Sequence, residues 1–148
     1  MIRTLAVTSP PTRIGTLYER ITEGLDRRPT PYTVLFHVWK DKGARAALDH
    51  YFQMKGDQPD AYNYHEWVLK GIGSQLLEKD SITAAVMFLE ASLEEDPEAE
   101  YAWYGSYQLA KAYQEQGRTD DAIQQCEKAL EGNAEFESAK TLLEELRQ

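Results

Sequence analysis

Apolar residues recur along most of this chain at intervals of three and four positions, which is the spacing of one face of an α-helix. The run TVLFHVW at 33–39 has the β-branched and aromatic character of a strand, but Pro31 suits a first helical turn and favours a helix there. We therefore predict an all-α fold. The expected helices cover about 11–26 (a lead helix), 31–41, 44–55, 60–78, 81–95, 98–116, 120–131 and 135–147.

Short connections with turn-forming residues separate these predicted helices. Gly117 suits the left-handed residue that ends a helix, and Thr119 offers a hydroxyl N-cap to the next one. The two aspartates that follow Thr119 place negative charge on the first helical turn, and Asp80 or Ser81 can cap the helix of the preceding pair. Because the connections are short, we expect consecutive helices to pack antiparallel.

The helix pairs recur with a regular period. Pro59 and Pro97 are 38 residues apart, and Ala134 follows Pro97 by 37 residues. Between these breaks the pattern is helix, tight turn, helix. Such a period is typical of supersecondary units that stack on one another.

The last of these units resembles the tetratricopeptide repeat, a unit of about 34 residues. That family keeps small residues at the eighth, twentieth and twenty-seventh positions, where helices cross closely. The preceding unit matches less well, and the first unit matches least, with Leu35 at its first small-residue position. The matching small residues are Ala110, Ala122 and Ala129 in the last unit and Gly73, Ala85 and Ser92 in the one before it.

The resemblance implies a right-handed superhelical stack of three helix pairs with a lead helix and a C-terminal capping helix. The distance from one helix pair to the next exceeds the repeat length of the family by three or four residues. We therefore expect an extra helical turn at the start of the first helix in units two and three. The expected divisions are an N-terminal segment at 1–27, repeats at about 28–61, 62–99 and 100–134, and the capping helix at 135–148.

The end units of a stack need a cover with a polar outer face. The lead helix either caps the first unit or lies in the groove of the stack. The apolar stripe expected of the lead helix is Ile14, Leu17, Tyr18, Ile21 and Leu25, and that of the capping helix is Phe136, Ala139, Leu142, Leu143 and Leu146.

A concave groove lined by the first helix of each pair is the binding surface that the resemblance implies. Tyrosine and tryptophan often anchor interfaces, and two lysines would orient a carboxylate of the partner. The alternative is that these rings pack within the core or beneath the lead helix. The groove positions hold Tyr32, Phe36, Trp39, Trp67, Lys70, Ser74, Tyr104, Tyr107 and Lys111, followed by Leu77 and Gln114, and the expected extra turns add Tyr62, Tyr64, Tyr101 and Trp103.

The lysine and asparagine clamp with which some repeats of this family grip acidic chaperone tails is absent from these positions, so we do not predict that partner. No catalytic motif is present either. His37, His50 and His65 are scattered, and Cys126 falls at a packing position that predicts an inert buried thiol. We predict no enzyme activity, no cofactor and no metal site.

Charge is distributed unevenly along the chain. Residues 1–74 hold ten Lys or Arg and eight Asp or Glu, a net +2, whereas residues 75–148 hold six and seventeen, a net −11. This balance argues against a nucleic-acid partner. The acidic half is either a solvated surface or a surface that attracts a basic partner.

No apolar run approaches the roughly 18 residues of a membrane span, and the start of the chain lacks the pattern of a signal peptide. We therefore expect a cytoplasmic protein without a membrane partner. The predicted function is a non-enzymatic scaffold or adaptor that binds a peptide or protein segment. The alternatives are a secretion or assembly chaperone that shields an apolar client, and a structural subunit of a homo-oligomer.

Overall fold

The computed structural model describes residues 28–148, which form seven α-helices and no strand. The all-α prediction is confirmed, and the run at 33–39 is helical. The predicted lead helix and its apolar stripe lie outside the described residues. The helices are α1 (Tyr32–Lys42), α2 (Ala44–Asp57), α3 (Trp67–Glu78), α4 (Ile82–Glu95), α5 (Ala102–Glu115), α6 (Thr119–Gly132) and α7 (Glu137–Leu146).

The helices pack as a stack of pairs. Within each pair α1 contacts α2, α3 contacts α4, and α5 contacts α6. Between pairs, α1 lies beside α3, α3 beside α5, and α2 beside α4. We call the surface of α1, α3 and α5 the first-helix face and the surface of α2, α4 and α6 the second-helix face.

Small residues stand where the helices of a pair come closest. A Cβ atom added to Gly73 on α3 would lie 2.6 Å from Cγ of Leu89 on α4, closer than van der Waals contact allows. Ala85, Ala110 and Ala122 have no solvent exposure. These side chains permit the short helix separations that the repeat pattern predicted.

Helices α3 and α5 begin at Trp67 and Ala102, later than the predicted starts near 60 and 98. The additional residues of units two and three lie instead in the connections 58–66 and 96–101. The prediction of an extra helical turn in each unit is therefore wrong.

Hydrogen bonds outside any helical pattern hold the first of these connections. The Asn63 N–H donates to the Pro29 carbonyl at 2.9 Å, which ties the connection to the chain before α1. The Tyr64 hydroxyl donates to the Gln58 carbonyl at 3.1 Å, and its ring packs edge-on against Tyr51 with the centroids 5.7 Å apart. These contacts satisfy groups that a longer helix would have bonded internally.

The tight turns follow the predicted chemistry in part. Gly117 ends α5 with φ of 71°, as predicted, and Asp80 holds the same left-handed conformation before α4 with φ of 57°. Thr119 is the first residue of α6 and makes no capping hydrogen bond, so its predicted role as an N-cap is wrong. Ser81 is the N-cap of α4, and its side chain makes no capping bond either.

Helix α7 covers the end of the stack by packing on α6. Its residues Leu142 and Leu143 form a core cluster with Ala110 of α5 and Cys126 of α6. Phe136 was expected in the same apolar stripe, but it precedes the helix as its N-cap residue and contacts aromatic residues of α5 instead. The chain must turn before α7 begins, and this turn directs the Phe136 ring away from the stripe.

Candidate functional site

Six aromatic rings form a continuous cluster, which we call the aromatic array. The Trp67 ring centroid on α3 lies 5.3 Å from that of Tyr101 and 5.8 Å from that of Tyr104. At the other end, Phe136 lies 4.8 Å from Tyr107. Tilted and edge-on contacts of this kind stabilise aromatic pairs beyond the area they bury. The array consists of Trp67, Tyr101, Trp103, Tyr104, Tyr107 and Phe136.

One end of the array is open to solvent. Trp67 is 36% exposed and Tyr101 is 37% exposed. With Phe52, which lies on α2, they are the large hydrophobic side chains exposed in the part of the chain that the structure describes. The rings of Trp67 and Tyr101 therefore offer adjoining apolar area to a partner.

Lys70 was predicted to orient a carboxylate of a partner, but its side chain is only 1% exposed. Its Nζ donates to Glu66 Oε2 and to the Tyr101 carbonyl, both at 2.9 Å, and lies 4.2 Å from the centroid of the Trp67 ring. Glu66 also accepts a hydrogen bond from the Tyr101 N–H at 3.2 Å. Because the Lys70 ammonium is buried and is bonded to groups of the chain itself, it does not meet a carboxylate of a partner. Lys70 positions Trp67 and Tyr101 instead.

The predicted groove residues of α1 make contacts of their own. The Tyr32 hydroxyl donates to the Trp67 carbonyl at 2.6 Å and so links α1 to α3, and burial raises the pKa of this hydroxyl above its ordinary value. Phe36 and Trp39 pack edge-on with their centroids 5.9 Å apart. Tyr32 thus supports the start of α3, while Phe36 and Trp39 form a separate, partly buried aromatic pair.

Polar groups flank the array on α3 and α5. Ser74 Oγ is buried and has no hydrogen-bond partner among residues 28–148. The Lys111 ammonium lies 5.4 Å from the centroid of Tyr107 and 3.4 Å from Gln108 Oε1. Unlike Lys70, Lys111 is partly exposed, so its charge is accessible at this face.

Sequence reasoning did not assign Glu66 or Phe136 to the site. The four-residue spacing of Glu66 and Lys70 was a usable signal, because residues at that separation face each other on a helix. No comparable signal marked Phe136, because its spacing from Ala139 and Leu143 also fits the apolar stripe of α7. Leu77 packs against the core and Gln114 is exposed, so neither belongs to the array.

Residues 28–148 contain no group of three or more His, Cys, Asp or Glu that could hold a metal ion. Cys126 is fully buried, and burial raises the pKa of its thiol to about 11. Within the same residues, every helix is too short or too polar to cross a membrane.

Comparison with known protein families gives a match over the C-terminal half of the chain. Residues 76–147 match the family model described as tetratricopeptide repeat. The matched segment runs from the end of α3 to the end of α7. No curated protein matches the chain.

Proposed function

The chain belongs to the tetratricopeptide-repeat family, whose repeats are generally protein–protein interaction modules, and from this premise we propose that it is a scaffold or adaptor protein. The bound segment is a peptide or a protein surface, and it docks on the first-helix face. Its apolar side chains pack against Trp67 and Tyr101.

The exposed end of the aromatic array is the observation that carries this proposal. Tryptophan and tyrosine bring large contact areas with few rotatable bonds, and interface residues of these types often dominate binding energies. Trp67 also touches the rings of Tyr101 and Tyr104, so its orientation is largely fixed before a partner arrives. A fixed ring loses little conformational entropy on binding.

Lys70 contributes to this site without touching the partner. Its ammonium lies beside the Trp67 ring and holds the Tyr101 carbonyl. Lys111 supplies a polar contact to the partner because its side chain is partly exposed, whereas Ser74 Oγ is buried beside this surface. A segment with apolar side chains next to a carboxylate or a carbonyl group would match these features.

To test the proposal, peptides that bind the wild-type protein are first selected from a displayed library. Their affinities for the wild type and for variants are then measured by fluorescence anisotropy. Trp67→Ala and Tyr101→Ala should each weaken binding at least about tenfold, in the range typical of interface anchors. Phe52→Ala is the matched control, since Phe52 is a large exposed ring, 46% accessible, on α2 of the second-helix face. Circular dichroism should show unchanged helix content in all three variants.

Equal affinity in the Trp67→Ala variant and the wild type would contradict the proposal. Loss of helix content in that variant would show that the ring is part of the core. Light scattering over a concentration series distinguishes an adaptor from a homo-oligomer subunit. Self-association through these rings would double the measured mass of the wild type but not that of the Trp67→Ala variant.

A further inference from the structure

An open cleft of about 940 Å³ lies on the second-helix face. Residues of α4 and α6 form its two sides, and α5, which packs against both of these helices, forms its floor. Residues 97–100 of the connection between α4 and α5 also line it. Trp103 is the one member of the aromatic array that lines the cleft.

Carboxylates surround this cleft. Lys128 is the one cation among its lining residues. Glu90 accepts a hydrogen bond from the Tyr113 hydroxyl, and the other four glutamates form no ion pair within residues 28–148. The glutamates of the cleft are Glu90, Glu94, Glu98, Glu100 and Glu131.

A buried amide provides a second, independent feature. Gln125 of α6 lines the cleft and is only 8% exposed, and its Oε1 has no hydrogen-bond partner among the described residues. A buried acceptor without a donor is unfavourable, and native structures rarely leave one unsatisfied. A ligand that brings an N–H donor into the cleft would satisfy Gln125.

The lining of the cleft is partly apolar. Leu93, Trp103 and Leu109 line it together with the carboxylates. Lysine and arginine side chains suit such a surface, because their methylene stems pack on apolar atoms while their charged ends reach acidic groups. Arginine adds several N–H donors in a fixed geometry, which suits a buried amide oxygen and a carboxylate together.

We infer that this cleft between α4 and α6 binds an arginine- or lysine-rich segment of a partner protein. The inference goes beyond the function proposed above, because Trp67 and Tyr101 do not line the cleft and the cleft receives a segment of different chemistry. Charge complementarity and the unsatisfied Gln125 acceptor identify the basic segment as the occupant.

A fluorescein-labelled octapeptide of alternating arginine and alanine is a suitable probe, titrated at about 0.15 M salt to screen distant charges. The triple variant Glu94→Gln, Glu98→Gln and Glu131→Gln should bind it at least about tenfold more weakly than the wild type. The matched control is Glu115→Gln, Glu144→Gln and Glu145→Gln, which changes net charge equally at exposed positions outside the cleft. This control should change the affinity less than about twofold.

Gln125→Leu alters no charge and should weaken the probe at least about threefold, because it removes the acceptor. Trp67→Ala should leave binding of this probe unchanged, because Trp67 does not line the cleft. The two proposals can therefore be tested separately, one by probe binding in the cleft and the other by peptide binding at Trp67. Equal weakening by the two triple variants would overturn the inference, since it would indicate attraction to overall charge. Unchanged affinity in Gln125→Leu, or no binding to the wild type, would also overturn it.

Discussion

At the scale of single residues, Lys70 organises the outer end of the aromatic array. Its ammonium is held by Glu66 and by the Tyr101 carbonyl, and these contacts bring the connection before α5 against the start of α3. The sequence identified Lys70 as a residue of this face, but it could not show that the Tyr101 loop covers it. Whether the Tyr101 loop covers Lys70 depends on where α5 begins. The spacing of apolar residues alone predicted a start of α5 near residue 98, which is too early.

We expect Lys70→Met to lower the free energy of unfolding by about 2–4 kcal/mol, because it leaves the largely buried Glu66 carboxylate without its cation. Urea unfolding followed by circular dichroism measures this change. Lys111→Met is the control and should change stability by no more than about 0.5 kcal/mol, since Lys111 makes weaker and more exposed contacts. A loss below about 0.5 kcal/mol in Lys70→Met would contradict the structural role of Lys70.

Cys126 allows a test of burial through pH. The folded-state pKa of its thiol is raised to about 11 by burial, against an ordinary value of about 9. The neutral thiol is thus favoured in the fold, and its contribution to stability is present below about pH 9 and is lost as pH rises towards 11.

Iodoacetamide should therefore alkylate Cys126 at pH 8.5 at least about 100-fold more slowly in the native protein than in urea. The native rate should still rise above about pH 10, where the rate in urea levels off because the unfolded thiol is then almost fully ionised. Equal rates in the two states at pH 8.5 would show that the thiol is accessible.

At the scale of helices, the close crossing of α3 and α4 depends on Gly73. We expect Gly73→Ala to destabilise the protein by about 1–3 kcal/mol, because the added methyl group overlaps Leu89, and this cost exceeds the gain in helix propensity. Gly56→Ala on α2 is the matched control, since no atom lies within 4 Å of its added Cβ. The control should be neutral or more stable by up to about 1 kcal/mol.

Thermal unfolding of both alanine variants measures the difference. A Gly73→Ala protein as stable as the wild type would mean that α3 and α4 are farther apart than described. Because Leu89 has no solvent exposure, its side chain has little room to move away from the new methyl group.

Most of the helices could be predicted from the sequence, and the connections could not. The three-to-four spacing of apolar residues marks α1, α2, α4, α6 and α7, and Gly117 marks the turn after α5. The segments before α3 and α5 also carry aromatic residues at spacings compatible with helices. Tyr64 and Tyr101 are held there by contacts with residues distant in sequence, Tyr51 and Lys70, which no local pattern reports.

At the scale of the whole molecule, the stack carries two chemically distinct surfaces. The first-helix face presents Trp67 and Tyr101, and the second-helix face carries the acidic cleft around Gln125. The sequence predicted an aromatic face and an acidic half of the chain. It did not predict that the acidic residues would line a cleft, because that depends on the separation of α4 and α6.

The central claim is that a partner segment docks on Trp67, and fluorine NMR of protein labelled with 5-fluorotryptophan tests it most directly. The chain has three tryptophans, so substitution of each by phenylalanine assigns every resonance. On saturation with a library-selected peptide, the Trp67 resonance should shift more than that of Trp103, whose ring already packs against Phe136. A saturated complex in which the Trp67 resonance does not move would contradict the account.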